Sequence, residues 1–274
     1  MAIVSISRQV GSLGDEIART LAAELNYKLI GREDFAELAE KYDPDFASKI
    51  NKIEREEPLG FFERLFFSTP VYHSLYEAIV FELASRRQVI ILGRGSQIVL
   101  REVHQAFRVR VVAPMHVRVI HLREVHGMST DDALEYIRRH DQSRRALIRQ
   151  VFDEDPKAWR LYDMVLNTAY MDTRAGVNIL RQAIEEVIRL QPMEEAVRVL
   201  KGLALGKRVE ARIRQEILPT QDVEVLGDTD GTVTLMGHLA AAEDIRRAEE
   251  VAAAYPGVVK VINKIQPSVL IFGY

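Results

Sequence analysis

Residues Ile3 to Ala22 constrain this chain more than any other stretch. Ile3, Val4 and Ile6 read as an apolar strand, and Ser7-Arg8-Gln9-Val10-Gly11-Ser12-Leu13-Gly14 reads as a turn. The helix that follows carries its apolar stripe on Ile17, Ala18, Leu21, Ala22 and Leu25. A glycine-bearing turn between a first strand and a first helix is where many α/β proteins hold a phosphate, because the helix N-terminus presents free N–H groups and the positive end of a dipole. The turn lacks the Gly-Lys-Ser/Thr ending that supplies such a loop with its own cation and hydroxyl, since Gly14 is followed by Asp15 and Glu16. Taken alone, the stretch leaves two readings open: a nucleotide site that draws positive charge from elsewhere, or a structural corner.

The rest of the first 190 residues alternates strands with helices. Tyr27, Leu29 and Ile30 read as a short strand, and Gly31-Arg32-Glu33-Asp34 opens a helix. Residues 43–85 read as mostly helical, with Pro44, Pro58 and Pro70 as breakers; the cluster Phe61, Phe62, Leu65, Phe66 and Phe67 reads as helix packing. Val89-Ile90-Ile91-Leu92 is a continuous apolar run ending at Gly93-Arg94-Gly95, as suits a central parallel strand buried on both faces. Phe107 to Ala113 is a further strand, followed by a helix from His116 to His126, a helix capped at Ser129 and a basic helix through Arg149. Met164-Val165-Leu166 is a last strand before Asn167-Thr168, and Val177 to Leu190 is an amphipathic helix. The alternation predicts a three-layer α/β domain with a parallel sheet, in which ligands gather at the carboxyl ends of the strands. Ser7 to Gly14, Arg94 and Asn167 all fall there.

Gln191-Pro192 marks the expected boundary between domains 1–190 and 191–274. Beyond it come a helix from Glu194 to Leu218 with candidate breaks at Gly202 and Gly206, a hairpin turning on Gly227 to Gly231, a helix from Ala240 to Ala254 and a strand from Val258 to Ile262. This is a small α+β module. The apolar tail Val269 to Tyr274 reads as an edge strand or as a contact for a neighbouring subunit, which leaves a homo-oligomer open.

The formal charge of -3 makes no electrostatic case for nucleic acid. With no cysteine, the chain has neither disulfides, thiolate metal sites nor thiol catalysis. His116, His121 and His126 are spaced by five, which turns them around a helix and argues against a shared metal. No apolar stretch is long enough to span a membrane and no leader is evident, so the cytoplasm is the expected compartment.

Ile6-Ser7-Arg8-Gln9 with Gly11-Ser12-Leu13-Gly14, then Gly93-Arg94-Gly95, Asp141-Gln142-Ser143-Arg144 and Tyr162-Asp163-Met164-Val165-Leu166-Asn167-Thr168 together resemble the cytidylate kinase-like family of P-loop proteins. Val233 to Gly237, the Ala-rich helix and Tyr255 to Asn263 resemble a BON module, which implies an α+β fold and leaves open a ligand or a peripheral membrane contact there. The first resemblance implies a nucleoside monophosphate kinase fold acting on nucleotides, with ATP and Mg2+ as donor and cofactor and CMP or a similar acceptor. It implies that Gly11, Ser12, Leu13, Gly14 and Asp15 wrap the donor phosphates. Arg94 would take the acceptor phosphate, with Arg32 and Asn167 on the substrate side. Arg144 and Arg145, with Arg149, would close as a lid.

The chain departs from close cytidylate kinases at three places. The lysine and hydroxyl residue after the loop are missing, Gly95 stands where they carry aspartate, and Leu13 where the loop has glycine. Arg8 is the candidate replacement for the lysine, and Ser12 for the magnesium-holding hydroxyl. The alternative is a non-catalytic nucleotide sensor acting through the BON-like module. The arginines from Arg138 to Arg149 also read as a solvated face neutralised by neighbouring carboxylates, and Asn167 as a turn cap.

Overall fold

The computed structural model describes residues 2–48, 69–190, 193–217 and 222–268. The expected phenylalanine cluster, at 61–67, and the apolar tail, at 269–274, lie outside them.

The first unit comprises Met1–Arg64 and Arg86–Glu194. Its strands are β1 (Ile3–Arg8), β2 (Lys28–Ile30), β3 (Val89–Leu92), β4 (Ala106–Val112) and β5 (Met164–Asn167). All pair in parallel in the order β2-β3-β1-β4-β5. Its helices are α1 (Gly14–Leu25) and α2 (Arg32–Tyr42) before β3, the one-turn α4 (Ser96–Val99) after it, then α5 (Met115–His126), α6 (Thr130–Phe152) and α7 (Thr173–Leu190); α3 belongs to the second unit. As the runs of Val and Ile suggest, Ile3, Val4, Ile6, Val89, Ile90 and Ile91 are fully buried. Of these, Val4, Ile6 and Ile90, with their neighbours on β4 and β5, pack with Ile17, Leu21, Leu180 and Ile184 from α1 and α7. The parallel three-layer expectation holds.

Order within the sheet positions the site. β1 lies between β3 and β4, with Ile6 opposite Leu92 on one side and Val109 on the other. The connections leaving β1 and β3 therefore emerge at one sheet edge, where strand order reverses, and that crevice is where open α/β sheets take ligands. The Gly93 amide donates to the Ile6 carbonyl at 2.8 Å, fixing the turn after β3 beside the turn after β1.

The helix expected at Ser129 begins there, with the Ser129 hydroxyl accepting from the Asp132 amide, and continues unbroken to Phe152 instead of dividing before the basic segment. No helix among the described residues is long and apolar enough to cross a membrane.

The second unit comprises Leu65–Ser85 and Glu195–Tyr274, so it is assembled from two pieces of sequence, which a single boundary at 190 does not anticipate. It holds α3 (Pro70–Ala84), α8 (Met193–Glu216), β6 (Val223–Gly227), β7 (Thr232–Leu239), α9 (Ala242–Ala253), β8 (Lys260–Asn263) and β9 (Gln266–Pro267). The hairpin is as expected, with Gly227 opposite Val233. α8 does not break at its glycines. A Cβ at Gly202 would lie 2.7 Å from the Gly227 carbonyl oxygen, and one at Gly206 2.6 Å from the Gly227 nitrogen. The glycines let helix and strand backbones approach, and the surrounding core holds the helix straight.

α3 joins this unit through a buried polar cluster. The Glu210 carboxylate is 2% exposed; it accepts from the Ser74 hydroxyl at 2.7 Å and the Val225 amide at 3.0 Å, and pairs with Arg214 at 2.8 Å and Lys207 at 3.3 Å. Arg214 also donates to the Val223 carbonyl at 2.8 Å, so one face of α8 satisfies two backbone groups on the free edge of β6. Removing one partner of a buried ion pair leaves the other charge uncompensated, at about 3–5 kcal/mol. Glu210→Ala is therefore expected to destabilise this unit on that scale, read as faster amide exchange across Val223–Gly227, while Glu210→Gln, which keeps the Ser74 and Val225 hydrogen bonds, loses less.

Candidate functional site

The loop after β1 is shaped by buried groups of its own unit. Gly11 has φ 73, and a Cβ there would stand 2.7 Å from the Arg118 carbonyl oxygen, so this position requires glycine for both conformation and space. Leu13 also has φ 62, a conformation that costs a branched L-residue about 1–2 kcal/mol. Its side chain packs against the main core, which holds the residue there and turns it into the protein instead of across the loop.

Ser12 is fully buried and donates its hydroxyl to the Gln9 carbonyl at 2.8 Å. The hydroxyl is thus turned to the loop's own backbone and covered. Thr168 donates to the Ser12 carbonyl at 2.9 Å and ties the end of β5 to the loop.

Arg8 runs over the start of α1. A Cβ at Gly14 would collide with the Arg8 Cβ and lie 2.9 Å from its Cγ, so a side chain on residue 14 and the observed path of Arg8 exclude one another. The guanidinium binds the Asp15 carboxylate, with Nη2 to Oδ1 at 2.9 Å and Nε within 3.3 Å of both oxygens. Its Nη1 edge reaches the next turn, 2.7 Å from where a Cβ on Gly93 would be.

Arg144 enters from α6, with Nη1 3.4 Å from the Arg8 carbonyl. Burial and the neighbouring Arg8 charge lower its pKa to about 10, against the pull of Asp15 and Asp141. For Asp15, burial acts to raise the pKa, but the charge and hydrogen bonds of Arg8, with Arg144 and Arg19, bring it below the usual carboxylate value. Two guanidiniums thus stand together beside the ionised Asp15, with Asp141 also acting on Arg144, and this gathering of positive charge favours an anion.

The turn after β3 is the other half. Gly93, Arg94 and Gly95 are consecutively left-handed, with φ 78, 65 and 59, and backbone strain of this kind gathers at ligand sites. The Arg94 guanidinium lies over the Phe35 ring of α2, 5.9 Å from its centre. A Cβ on Gly95 would collide with the Phe152 ring, 2.8 Å from its Cζ, so the aspartate of close cytidylate kinases has no room here.

The remaining expected residues stand at varying distance from this centre. Arg145 and Arg149 both bind Asp155, at 2.9 and 3.3 Å, so part of the basic face of α6 is neutralised, as its flanking carboxylates suggested. Arg32 is exposed in the first turn of α2. Asn167 is exposed and accepts from the Ala169 amide at 3.1 Å, acting as a turn cap. The structure thus brings Arg8, Gly11 to Asp15, Arg94 and Arg144 into adjoining turns.

Sequence reasoning missed three contributors. Arg118 is 2% exposed and clamps the Val10 carbonyl at 2.6 Å and Asp141 at 2.7 Å. The His121 Nδ1 meets the Gly11 carbonyl at 3.0 Å. Gln97 on α4 is 2% exposed, with an Oε1 that has no hydrogen-bond partner, a costly state for a buried amide. The polarity of Gln97 just beyond Gly-Arg-Gly was the available signal; nothing local marks Arg118 as buried.

A parallel sheet of order 2-3-1-4-5, with this loop at its reversal point, defines a P-loop kinase-like fold. The family model for cytidylate kinase-like proteins matches residues 3–170, more than half of the chain, and the chain belongs to that family. The BON domain model matches residues 203–266. A cytidylate kinase of Ignicoccus hospitalis is 25% identical over 188 residues, 67% of this chain and 99% of that protein. A cytidylate kinase of Pyrobaculum islandicum is 23% identical over 181 residues, 65% and 90% of the two chains. Among solved structures, a protein from Eubacterium ventriosum is similar with a TM-score of 0.54 at 19% identity, covering 68% of this chain and 98% of its own.

The Gly95 geometry predicts that Gly95→Ala destabilises the first unit by about 1–3 kcal/mol, the range for overpacking. In a Phe152→Ala background the added cost is expected to shrink to the backbone strain alone, measured as a double-mutant cycle by urea unfolding.

Proposed function

We propose that the first unit binds a nucleoside triphosphate at Gly11 to Asp15 and transfers its terminal phosphoryl group to a nucleoside monophosphate of the cytidylate type. The observation that carries this reading is the course of Arg8. From the end of β1 it crosses Gly14 and presents its guanidinium between the start of α1 and the turn carrying Arg94. Phosphoryl transfer asks the protein mainly for positioned phosphates and for positive charge against the oxygens of the moving group. Arg8 supplies that charge from the position a loop lysine would otherwise reach.

In this reading the loop amides and the N-terminus of α1 hold the donor phosphates. Arg8 and Arg144 face the group in transfer, and Arg94 binds the acceptor phosphate through its planar fork. Arg32 and Asn167 stand at the acceptor and base sides. Arg145, exchanging Asp155 for a phosphate oxygen, helps exclude water as α6 closes. An acceptor phosphate oxygen forms the new P–O bond while the bond to the departing diphosphate breaks, and the electron pair leaves with the diphosphate. Family membership and the likeness to two cytidylate kinases support this assignment. Such a reaction draws on cytoplasmic triphosphate, which makes the cytoplasm the compartment of this reading.

Magnesium fits the carboxylate of Asp15 better than the buried hydroxyl of Ser12, because the ion takes carboxylate, water and phosphate oxygens. When bound, it neutralises phosphate charge.

Incubation with ATP, Mg2+ and a panel of nucleoside monophosphates is expected to give a diphosphate product fastest with CMP. Arg8→Ala and Arg144→Ala are each expected to weaken ATP binding by about 10–100-fold, the scale of a lost charge-assisted hydrogen bond. Saturable ATP binding without diphosphate from any monophosphate would leave nucleotide sensing as the function. Binding untouched by both substitutions would dismiss the site.

A further inference from the structure

Asp15 sits awkwardly in a phosphate site. It lies in the first turn of α1, and its carboxylate faces Arg8, the cation that the donor phosphates would use. A phosphate arriving without a counter-ion must displace Asp15 from Arg8 or settle beside a second anion, and either course costs binding energy. The charge nevertheless persists, held ionised by Arg8, Arg144 and Arg19. Its side chain is 32% exposed and that of Arg8 16%, so the carboxylate, although both its oxygens accept from Arg8, is the more open member of the pair.

Several other oxygen groups around the loop are committed. The Ser12 hydroxyl is fully buried and donates to Gln9, and the Thr168 hydroxyl donates to the Ser12 carbonyl. Asp141 is bound to the buried Arg118, and Asp155 to Arg145 and Arg149. No cluster of three or more His, Cys, Asp or Glu suited to a metal exists among the described residues. A cation here would therefore be held as Mg2+ commonly is, by one carboxylate together with phosphate oxygens and water.

We propose that Asp15 is the protein's own ligand for the divalent cation of a metal–nucleoside triphosphate, taking over at the start of α1 the task that the loop hydroxyl is not free to perform. The proposal rests on the reading that the loop binds a triphosphate. With the metal present, Asp15 changes from a competitor of the phosphates into a bridge to them. Without it, Asp15 remains a rival for Arg8. Metal and triphosphate are thus linked, and each raises the affinity of the other by the same factor.

The test compares ATP binding with and without Mg2+ by calorimetry on the full chain. Wild type is expected to bind ATP about tenfold more tightly with Mg2+. Asp15→Asn is expected to bind metal-free ATP more tightly than wild type and to show a Mg2+ ratio near one. Asp141→Asn, the neighbouring carboxylate, is expected to keep the ratio.

Because the chain has no cysteine, Asp15→Cys introduces a single thiol. That variant is expected to lose the response to Mg2+ and to regain it with the softer Cd2+, with a thiolate-to-Cd2+ absorbance that appears only in the presence of ATP. This second variant decides the matter if Asp15→Asn does not fold. An unchanged Mg2+ ratio in Asp15→Asn, an equal loss of ATP affinity with and without metal, or absence of Cd2+ rescue would overturn the proposal. Failure of wild type to bind ATP under any condition would instead overturn the assignment of the loop.

Discussion

The site depends on a guanidinium laid across a glycine. Gly14 begins α1 at the point where the Arg8 side chain passes, and any side chain on residue 14 would block that passage. At the next position, where the P-loop pattern carries its lysine, stands Asp15, the carboxylate that Arg8 binds. Space opened at Gly14 is occupied from the strand side, and the charge arrives from the opposite direction. The same passage explains why Asp15 is ionised and why Gly93 lacks a side chain, since the two edges of the guanidinium end at these residues. Below it, the parallel register of β1 with β3 brings the two turns together, and the Gly93 amide hydrogen bond to Ile6 holds them in step.

Much of this was legible before the structure, and the parts that were not share a cause. A strand buried on both faces announces itself as an unbroken apolar run, as β3 does, and with the apolar residues of β1 and β4 alternating with helical stretches the parallel arrangement could be read directly. α4, of four residues, and β9, of two, are too short to show any period. Gly202 and Gly206 look like helix breakers because local propensity registers only their cost; the benefit, close approach to Gly227, comes from a strand some twenty residues away. α3 is a harder case. Its apolar residues mark it as buried but not against what, and the Ser74 to Glu210 hydrogen bond that assigns it to the second unit spans 136 residues.

The same limit runs through the site. Arg94 could be nominated because it follows a buried strand, and Arg8 and Arg144 through the motifs that resemble the family. Arg118 could not, because burying an arginine requires partners that only folding supplies, here the Val10 carbonyl and Asp141. The departures from close cytidylate kinases needed structure in the same way. Gly95 is glycine because Phe152 fills the space beside it, and Leu13 is tolerated at positive φ because its side chain enters the core.

A pattern of paired charge runs along the crevice. Arg8 carries Asp15, Arg118 carries Asp141, and Arg145 with Arg149 carries Asp155. These pairs differ in what an anion could take from them. Arg118 is sealed, and its carboxylate and carbonyl partners serve to hold the loop and α6 in place. Arg145 and Arg149 are partly exposed and share one carboxylate, so a phosphate would replace Asp155 at little cost in desolvation. Arg8 and Arg144 lie between these extremes: largely buried, and close enough for each to feel the other's charge. Two guanidiniums so close to one another gain from a doubly charged ligand, because one phosphate can answer both. Along the gradient from sealed to exposed pairs, the pair at the loop is the one where a bound anion would gain most, in a loop without the lysine of the P-loop pattern.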